Sequence, residues 1–233
     1  MRRRMLLVWK HFVLGFSALL PLVNPLGSAL VFLGLVGAAP IEAYRSLAAK
    51  IAINTIIFFL FIELVGSAVL EFFGISLPIV QVSGGIVIAM IAWTMLNQAD
   101  GAPTSDKTDA APALTQADIA ALQTKAFYPF TFPLTAGPGC IVVMLTLTIH
   151  STQSSITDKV LARVGLALAA IVLSVLVYFC YAYAPRIARR VSPATAHGIL
   201  RVIAFILLCI GVQIAWNGFS HLVIPLLAPL TAH

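Results

Sequence analysis

Two short stretches combine residue types that interrupt a helix with residue types that can hold charge. Residues 21–27 read PLVNPLG and residues 133–139 read PLTAGPG. Pro21, Leu22 and Gly27 of the first align with Pro133, Leu134 and Gly139 of the second, and the second proline slips by one position, Pro25 against Pro138. Proline has no amide hydrogen, and its ring clashes with the preceding turn. Glycine reaches left-handed conformations, which Gly137 and Gly139 are expected to use. Unwinding is therefore predicted around Thr135–Gly139, with a fresh helix start after it. Free amides at a helix N-terminus suit a carboxylate. Freed carbonyls suit an ammonium group or a cation, so a zwitterionic amino acid fits both ends of such a break. Asn24, Pro25 and Gly27 in one stretch and Thr135, Gly137, Pro138 and Gly139 in the other are the candidate substrate-binding residues. A kink used only for packing is the competing reading, and the duplication weighs against it.

Glu63, in FFLFIELVGS, is the one acid near the middle of an apolar run. A lone carboxylate there is expensive unless protonated or paired, which makes Glu63 a candidate for coupling to H+ or Na+. The alternatives are a protonated glutamate bonded to a neighbouring helix, or one that reaches the interface. Thr131 and Thr135 can bond their own preceding turns; Thr135 is the better site candidate because it lies in the unwound stretch. Asn54, Gln81, Gln213 and Asn217 read as interhelical hydrogen-bonding groups. Ser83, Gly84 and Gly85, and separately Gly165 and Ala169, read as faces for close helix packing. The histidines show no ligand pairing, and Cys140, Cys180 and Cys209 have neither metal spacing nor an even count, so no metal or cofactor is assigned.

These residues must be positioned by membrane-spanning helices. Of the 233 residues, 61% are hydrophobic and 9% charged, with a mean hydropathy of +1.03. A soluble domain carries roughly a quarter charged residues. The sequence pI of about 9.6 does not point to nucleic acid, because the basic residues sit at span ends. Runs long enough to cross a bilayer are expected at about Val8–Val36, Leu47–Leu70, Leu77–Leu96, Phe127–Ile149, Val160–Ala184 and Gly198–Leu222. The first begins MRRRMLLVWK like a signal peptide, but its apolar stretch is too long for one and reads as a retained span. Between the third and fourth spans lies a polar linker rich in Ala, Asp, Thr and Pro, with a short helix expected near Gln116–Gln123.

The chain thus reads as an all-α membrane protein in two three-helix halves, 1–97 and 126–233, joined by a linker over 98–125. An odd number of spans per half makes the halves inverted across the bilayer. Paired spans interrupted by Gly and Pro are the sequence pointer to the binding site of inverted-repeat transporters. The basic residues divide almost evenly between the two sides, so the positive-inside rule barely decides orientation. The cluster Arg186, Arg189, Arg190 tips it toward that side being cytoplasmic. No HExxH, no G-x-S-x-G, no paired intramembrane aspartates and no phosphate-binding glycine loop argues for an enzyme or an ATP-driven pump.

Three stretches, NPLGSALVFLGL at Asn24–Leu35, LEFFGISLPIVQVSGGIVIAMIAWTML at Leu70–Leu96 and YPFTFPLTAGPG at Tyr128–Gly139, carry a resemblance to a known family. The chain resembles the MarC family of bacterial inner-membrane proteins, which includes the SnatA-type small neutral amino acid transporters. The resemblance implies six spans in two inverted halves, a bacterial inner-membrane location, and gradient-driven transport of glycine- or alanine-like substrates. Two positions depart from the family pattern: Ser28 stands where Asn is frequent, and Ala204 stands three residues after Arg201 where Gly is frequent. An exporter of small metabolites or drugs on the same scaffold, or a non-transporting stress or assembly factor, are the alternative functions.

Overall fold

The computed structural model describes residues 2–37, 39–97, 116–150, 155–190 and 193–227. Most of the polar linker lies outside the described residues. The chain runs α1 (Arg2–Val23), α2 (Pro25–Val36), α3 (Ile41–Phe72), α4 (Leu77–Leu96), α5 (Gln116–Thr124), a wound segment (Ala126–Thr135), α6 (Pro138–His150), α7 (Ile156–Ala182), α8 (Ala184–Arg190) and α9 (Pro193–Leu227). Five stretches are long and apolar enough to cross a membrane, and they become six when the wound segment and α6 count as one broken span bent by 68°. The spans expected from hydropathy are these, and α5 is the short helix expected at the end of the linker.

The faces of α3 show what solvates the fold. Ile53, Ile57, Phe61 and Leu64 recur at helical spacing and are exposed, whereas Ile51, Thr55, Phe59 and Ile62 are buried. Both faces are apolar. In a bilayer lipid tails cover the outer one, so helix association rests on close packing rather than on expulsion from water. Backbone groups must then be satisfied inside each helix. Thr55 and Ser174 comply by donating to the carbonyls of Ile51 and Ala170, each at 2.8 Å.

Small residues decide which helices touch. A Cβ on Gly165 would meet the Val8 carbonyl oxygen at 2.5 Å, and one on Gly15 would meet Ala169 at 3.1 Å, so α1 lies directly on α7. A Cβ on Gly85 would meet the Gly211 carbonyl oxygen at 2.6 Å, and one on Gly211 would meet the Ala89 amide nitrogen at 2.6 Å, so the backbones of α4 and α9 are in contact. The packing faces read at Gly84–Gly85 and at Gly165 and Ala169 are therefore real, whereas Ser83, read with the first of them, is exposed and donates to the Ile79 carbonyl of its own helix at 2.6 Å. Gln213 and Asn217 differ from expectation: Gln213 Nε2 donates to Asn217 Oδ1 at 2.9 Å along α9, and both are exposed. Four residues apart on one helix, they satisfy each other more readily than a distant helix could.

The principal pairs, α4 with α9, α1 with α7 and α3 with α7, all join one half of the chain to the other. The result is two packed bodies. The larger is built from α1, α2, α3, the wound segment, α6, α7 and α8 around Leu19, Phe32, Tyr44, Phe59, Leu173 and Tyr181. The smaller is the α4–α9 pair, closed over Ile88, Ala92 and Leu207. At one end of the larger body, Lys50 Nζ donates to Gln123 Oε1 at 2.8 Å and Gln123 Nε2 to Ser46 Oγ at 3.1 Å, which holds α5 on the start of α3.

Candidate functional site

The first break is a single residue. Asn24 has φ 43° and ψ 63°, a left-handed conformation that asparagine tolerates better than most side chains. Its Oδ1 accepts from the Gly27 amide at 3.2 Å and so caps α2, while Pro25 takes the first helical position, where no amide hydrogen is needed. Asn24 Nδ2 makes no hydrogen bond among the described residues. Pro21 stays inside α1. The expected unwinding there is thus confined to Asn24.

The second break is longer than the sequence suggests and begins earlier. Tyr128 and Phe132 have extended backbone angles, the Tyr128–Pro129 and Phe132–Pro133 peptide bonds are cis, and Ala136 sits at φ −125° and ψ 85°. Helix resumes at Pro138, so Pro138 and Gly139 belong to the first turn of α6 rather than to the unwound stretch. Gly137 and Gly139 do not take the left-handed conformations expected of them; among the described residues positive φ occurs at Asn24, Gly37 and Gly74. Gly139 is needed for space instead. A Cβ there would lie 2.6 Å from Ile88 Cγ1 and 2.9 Å from Leu22 Cδ2. The two second prolines, which slip by one place in the sequence alignment, are structural equivalents: each is the first residue of the helix that follows its break.

Hydroxyl groups satisfy carbonyls that the breaks release. Thr131 Oγ1 donates to the Ala126 carbonyl at 2.8 Å and Thr135 Oγ1 to Phe130 at 2.7 Å, each reaching back five residues; Ser28 Oγ shares its one hydrogen between the Asn24 carbonyl at 2.8 Å and the Val23 carbonyl, five residues back, at 3.1 Å. The Ala136 amide spans the same interval to the Thr131 carbonyl at 2.8 Å. Freed carbonyls were expected to point into a cavity; these are engaged locally, and Thr131, Thr135 and Ala136 are fully buried.

Tyr181, near the end of α7, joins the two breaks. Its hydroxyl lies 2.8 Å from Thr135 Oγ1. Thr135 spends its one hydrogen on the Phe130 carbonyl, so Tyr181 donates to Thr135. The phenol ring is fully buried and stacks on Phe32 at 4.5 Å, and Phe32 meets Phe130 and Tyr44 edge-on. Tyr44 in turn donates to the Gly37 carbonyl at 2.6 Å.

Both breaks also face the α4–α9 pair. Gly139 abuts Ile88 of α4, and a Cβ on Gly27 would meet Leu200 Cδ2 of α9 at 2.7 Å. Each break therefore presents the first turn of a helix to the last span of the opposite chain half. Across the same seam a Cβ on Gly84 would overlap Val142 of α6, and Gln81 Nε2 lies 3.4 Å from Thr146 Oγ1. An apolar groove of about 640 Å³ lies elsewhere, between α4 and α9, lined by residues such as Met90, Trp93 and Trp216. Asn54 lines a smaller hollow of about 300 Å³ with Phe58, Phe61 and Phe127.

Glu63 lies just over one turn along α3 from Phe58, whose ring meets Phe132 of the wound segment at 5.8 Å. It is 2% exposed on α3, and neither carboxyl oxygen has a hydrogen-bond partner. No group of three or more potential metal ligands occurs among the described residues.

The description "MarC family integral membrane protein" matches residues 9–223. Proteins named "UPF0056 inner membrane protein MarC" from Escherichia coli (strain K12) and from Shigella flexneri are each 30% identical to the chain over 225 residues, covering 94% of this chain and 98% of theirs. The homologue of the same name from Escherichia coli O1:K1 aligns to the same extent. No solved structure gives a significant match. With its apolar spans, one of them broken by 68°, and this match over nearly its whole length, the chain is a multi-pass inner-membrane protein and a member of the MarC family.

Proposed function

We propose that this protein is a secondary transporter of small neutral amino acids, glycine- or alanine-like, driven by an ion gradient across the bacterial inner membrane. The observation that carries this reading is the pairing of the breaks: Gly27 and Gly139, each in the first turn of a helix, face the α4–α9 pair at Leu200 and Ile88. Separation of the α4–α9 pair from the larger body would uncover both helix starts together. A substrate carboxylate would meet the Gly139 amide in the first turn of α6 and the Tyr181 hydroxyl, which would turn its hydrogen from Thr135 to the substrate; Asn24 Nδ2 supplies a further donor. The ammonium group would meet carbonyls near Asn24 and Thr135 once opening releases them from their local partners. Glycines at these positions bring backbone close to the substrate and leave room only for a small side chain.

Inverted-repeat transporters change access by moving one packed unit against another. Here the units follow packing rather than chain halves, because α4 and α9 belong to different halves yet touch backbone to backbone. Coupling to H+ or Na+ is assigned to Glu63.

Uptake of labelled glycine and alanine into proteoliposomes, under an imposed proton gradient and separately a sodium gradient, tests the reading. Saturable uptake stimulated by one gradient supports it. No uptake in vesicles that contain folded protein would overturn it, and a screen in the export direction would then be the next step.

A further inference from the structure

The outer face of α9 carries a chemistry that lipid tails do not match. The helix faces inward through Ala204, Leu207, Gly211 and Gly218, all buried, and a Cβ on Gly218 would meet the Pro78 carbonyl oxygen of α4 at 2.5 Å. At 3.6 residues per turn the opposite side holds Val202, Ile206, Cys209, Gln213, Trp216 and Asn217, and every one of them is exposed. Their spacing of three and four residues makes them one stripe along the helix.

Two carboxamides on that stripe sit deep in the membrane. The apolar span Gly198–Ile224 has its midpoint at Gly211. Gln213 lies roughly 3 Å and Asn217 roughly 9 Å along the axis from it, inside a hydrocarbon core that extends about 15 Å to either side. No water reaches an amide there, and its polar atoms must find partners in protein. The bond from Gln213 Nε2 to Asn217 Oδ1 at 2.9 Å uses one hydrogen and one oxygen. An amide side chain has two hydrogens to donate and an oxygen to accept. The second hydrogen of Gln213, the oxygen Oε1 of Gln213 and both hydrogens of Asn217 Nδ2 therefore stay without partners among the described residues.

We propose that this stripe of α9 is a homodimer interface in which Gln213 and Asn217 of two copies close a four-amide hydrogen-bond cluster. The occupant follows from complementarity. The patch presents leftover donors and a leftover acceptor side by side, so it matches itself. Copies of a membrane protein share one orientation and one depth, and a two-fold axis along the membrane normal sets the two patches at the same level. Side chains on a helix lean toward its N-terminus, which brings the Asn217 amide down toward the level of Gln213. Asn217 Nδ2 of each copy then donates to Gln213 Oε1 of the other, and Cys209, one turn before Gln213, faces its own counterpart near the axis. The stripe is on the side of α9 turned away from α4, so the dimer leaves the two breaks uncovered, and the proposal does not depend on the transport reading.

The test is subunit counting by single-molecule photobleaching of the full-length protein in liposomes, across a wide range of lipid dilution. Dimers that dissociate as lipid is added are expected. Gln213→Leu combined with Asn217→Leu makes the span more apolar, so the variant should insert and fold, and it should weaken the dimer roughly 10-fold or more. Cys209 is the exposed free cysteine, and Cys140 and Cys180 are buried. Oxidation with copper–phenanthroline should therefore link two chains through Cys209 and should fail in Cys209→Ser. Monomers at every dilution, a dimer that the double leucine variant does not weaken, or a cross-link that does not require Cys209 would overturn the proposal.

Discussion

At Asn24 one residue turns left-handed and the helix resumes at once; before Pro138 a ten-residue wound segment and a 68° bend intervene. The first break leaves Arg2–Val36 a single apolar stretch of 35 residues, while the second divides its span into two pieces. Yet both use a hydroxyl that reaches back five residues, and both restart the helix with proline. The contrast separates what a break requires from what it merely permits. Carbonyl satisfaction and a proline-led restart are common to both. The size of the bend is not, and it follows from how many residues depart from helical angles: Asn24 alone on one side, Tyr128, Phe132 and Ala136 on the other.

Substitutions can break this comparison or sharpen it. Gly139→Val has the largest expected effect. It places carbon against Ile88 and Leu22 and should abolish amino acid flux in proteoliposomes while insertion, read by surface labelling, persists. Normal flux in that variant would remove the second break from the site. Thr135→Val keeps the shape but deprives the buried Phe130 carbonyl and the Tyr181 phenol of a partner, a loss of about 1–3 kcal/mol in detergent unfolding. Tyr181→Phe retains the stack on Phe32 and leaves the Thr135–Phe130 bond intact. It should cost only about 1 kcal/mol of stability and raise KM for glycine roughly 5- to 10-fold. If stability falls and KM does not move, Tyr181 is a strut between the breaks and not a ligand.

Asn24→Ala should lose about 1 kcal/mol through the missing cap, and Asn24→Gly only a few tenths, because glycine also accepts the left-handed angles. Equal losses would mean that the conformation of Asn24 contributes nothing. Gly137→Ala is the smallest: its nearest obstacle is the Pro133 carbonyl at 3.2 Å, so stability should change by no more than about 0.5 kcal/mol. A large loss would show that the second break depends on glycine conformation after all.

Much of the architecture is legible in the sequence because the bilayer imposes length and apolarity on every span. The small residues at Gly85 and Gly165 mark real backbone contacts for the same reason. The second break was misplaced because Pro133, Gly137 and Pro138 draw the eye to their own positions. The tandem Tyr128-Pro129-Phe130-Thr131 and Phe132-Pro133-Leu134-Thr135 is the signal that winding departs from α earlier, and its threonines are the residues that satisfy the carbonyls. Left-handed glycine was expected at Gly139 from general freedom, whereas its role is close approach to Ile88. Tyr181 had no signal at all: it is one of three tyrosines in YFCYAYAP, and only the fold puts its hydroxyl on Thr135 and its ring on Phe32. Ser28, a departure from the family pattern, proves to be one of the groups that satisfies the first break.

The seam between the α4–α9 pair and the rest of the protein is largely aliphatic where Ile88, Val142 and Leu200 meet the opposing helices. Lipid tails are as apolar as these side chains, so solvation scarcely favours a closed seam over a lipid-filled one. What holds it shut is fit, together with the elastic response of the surrounding bilayer. A thicker or stiffer membrane, by changing helix tilt, alters that balance directly. On the transport reading proposed above, acyl-chain length would act on the opening of this seam alongside substrate and ion.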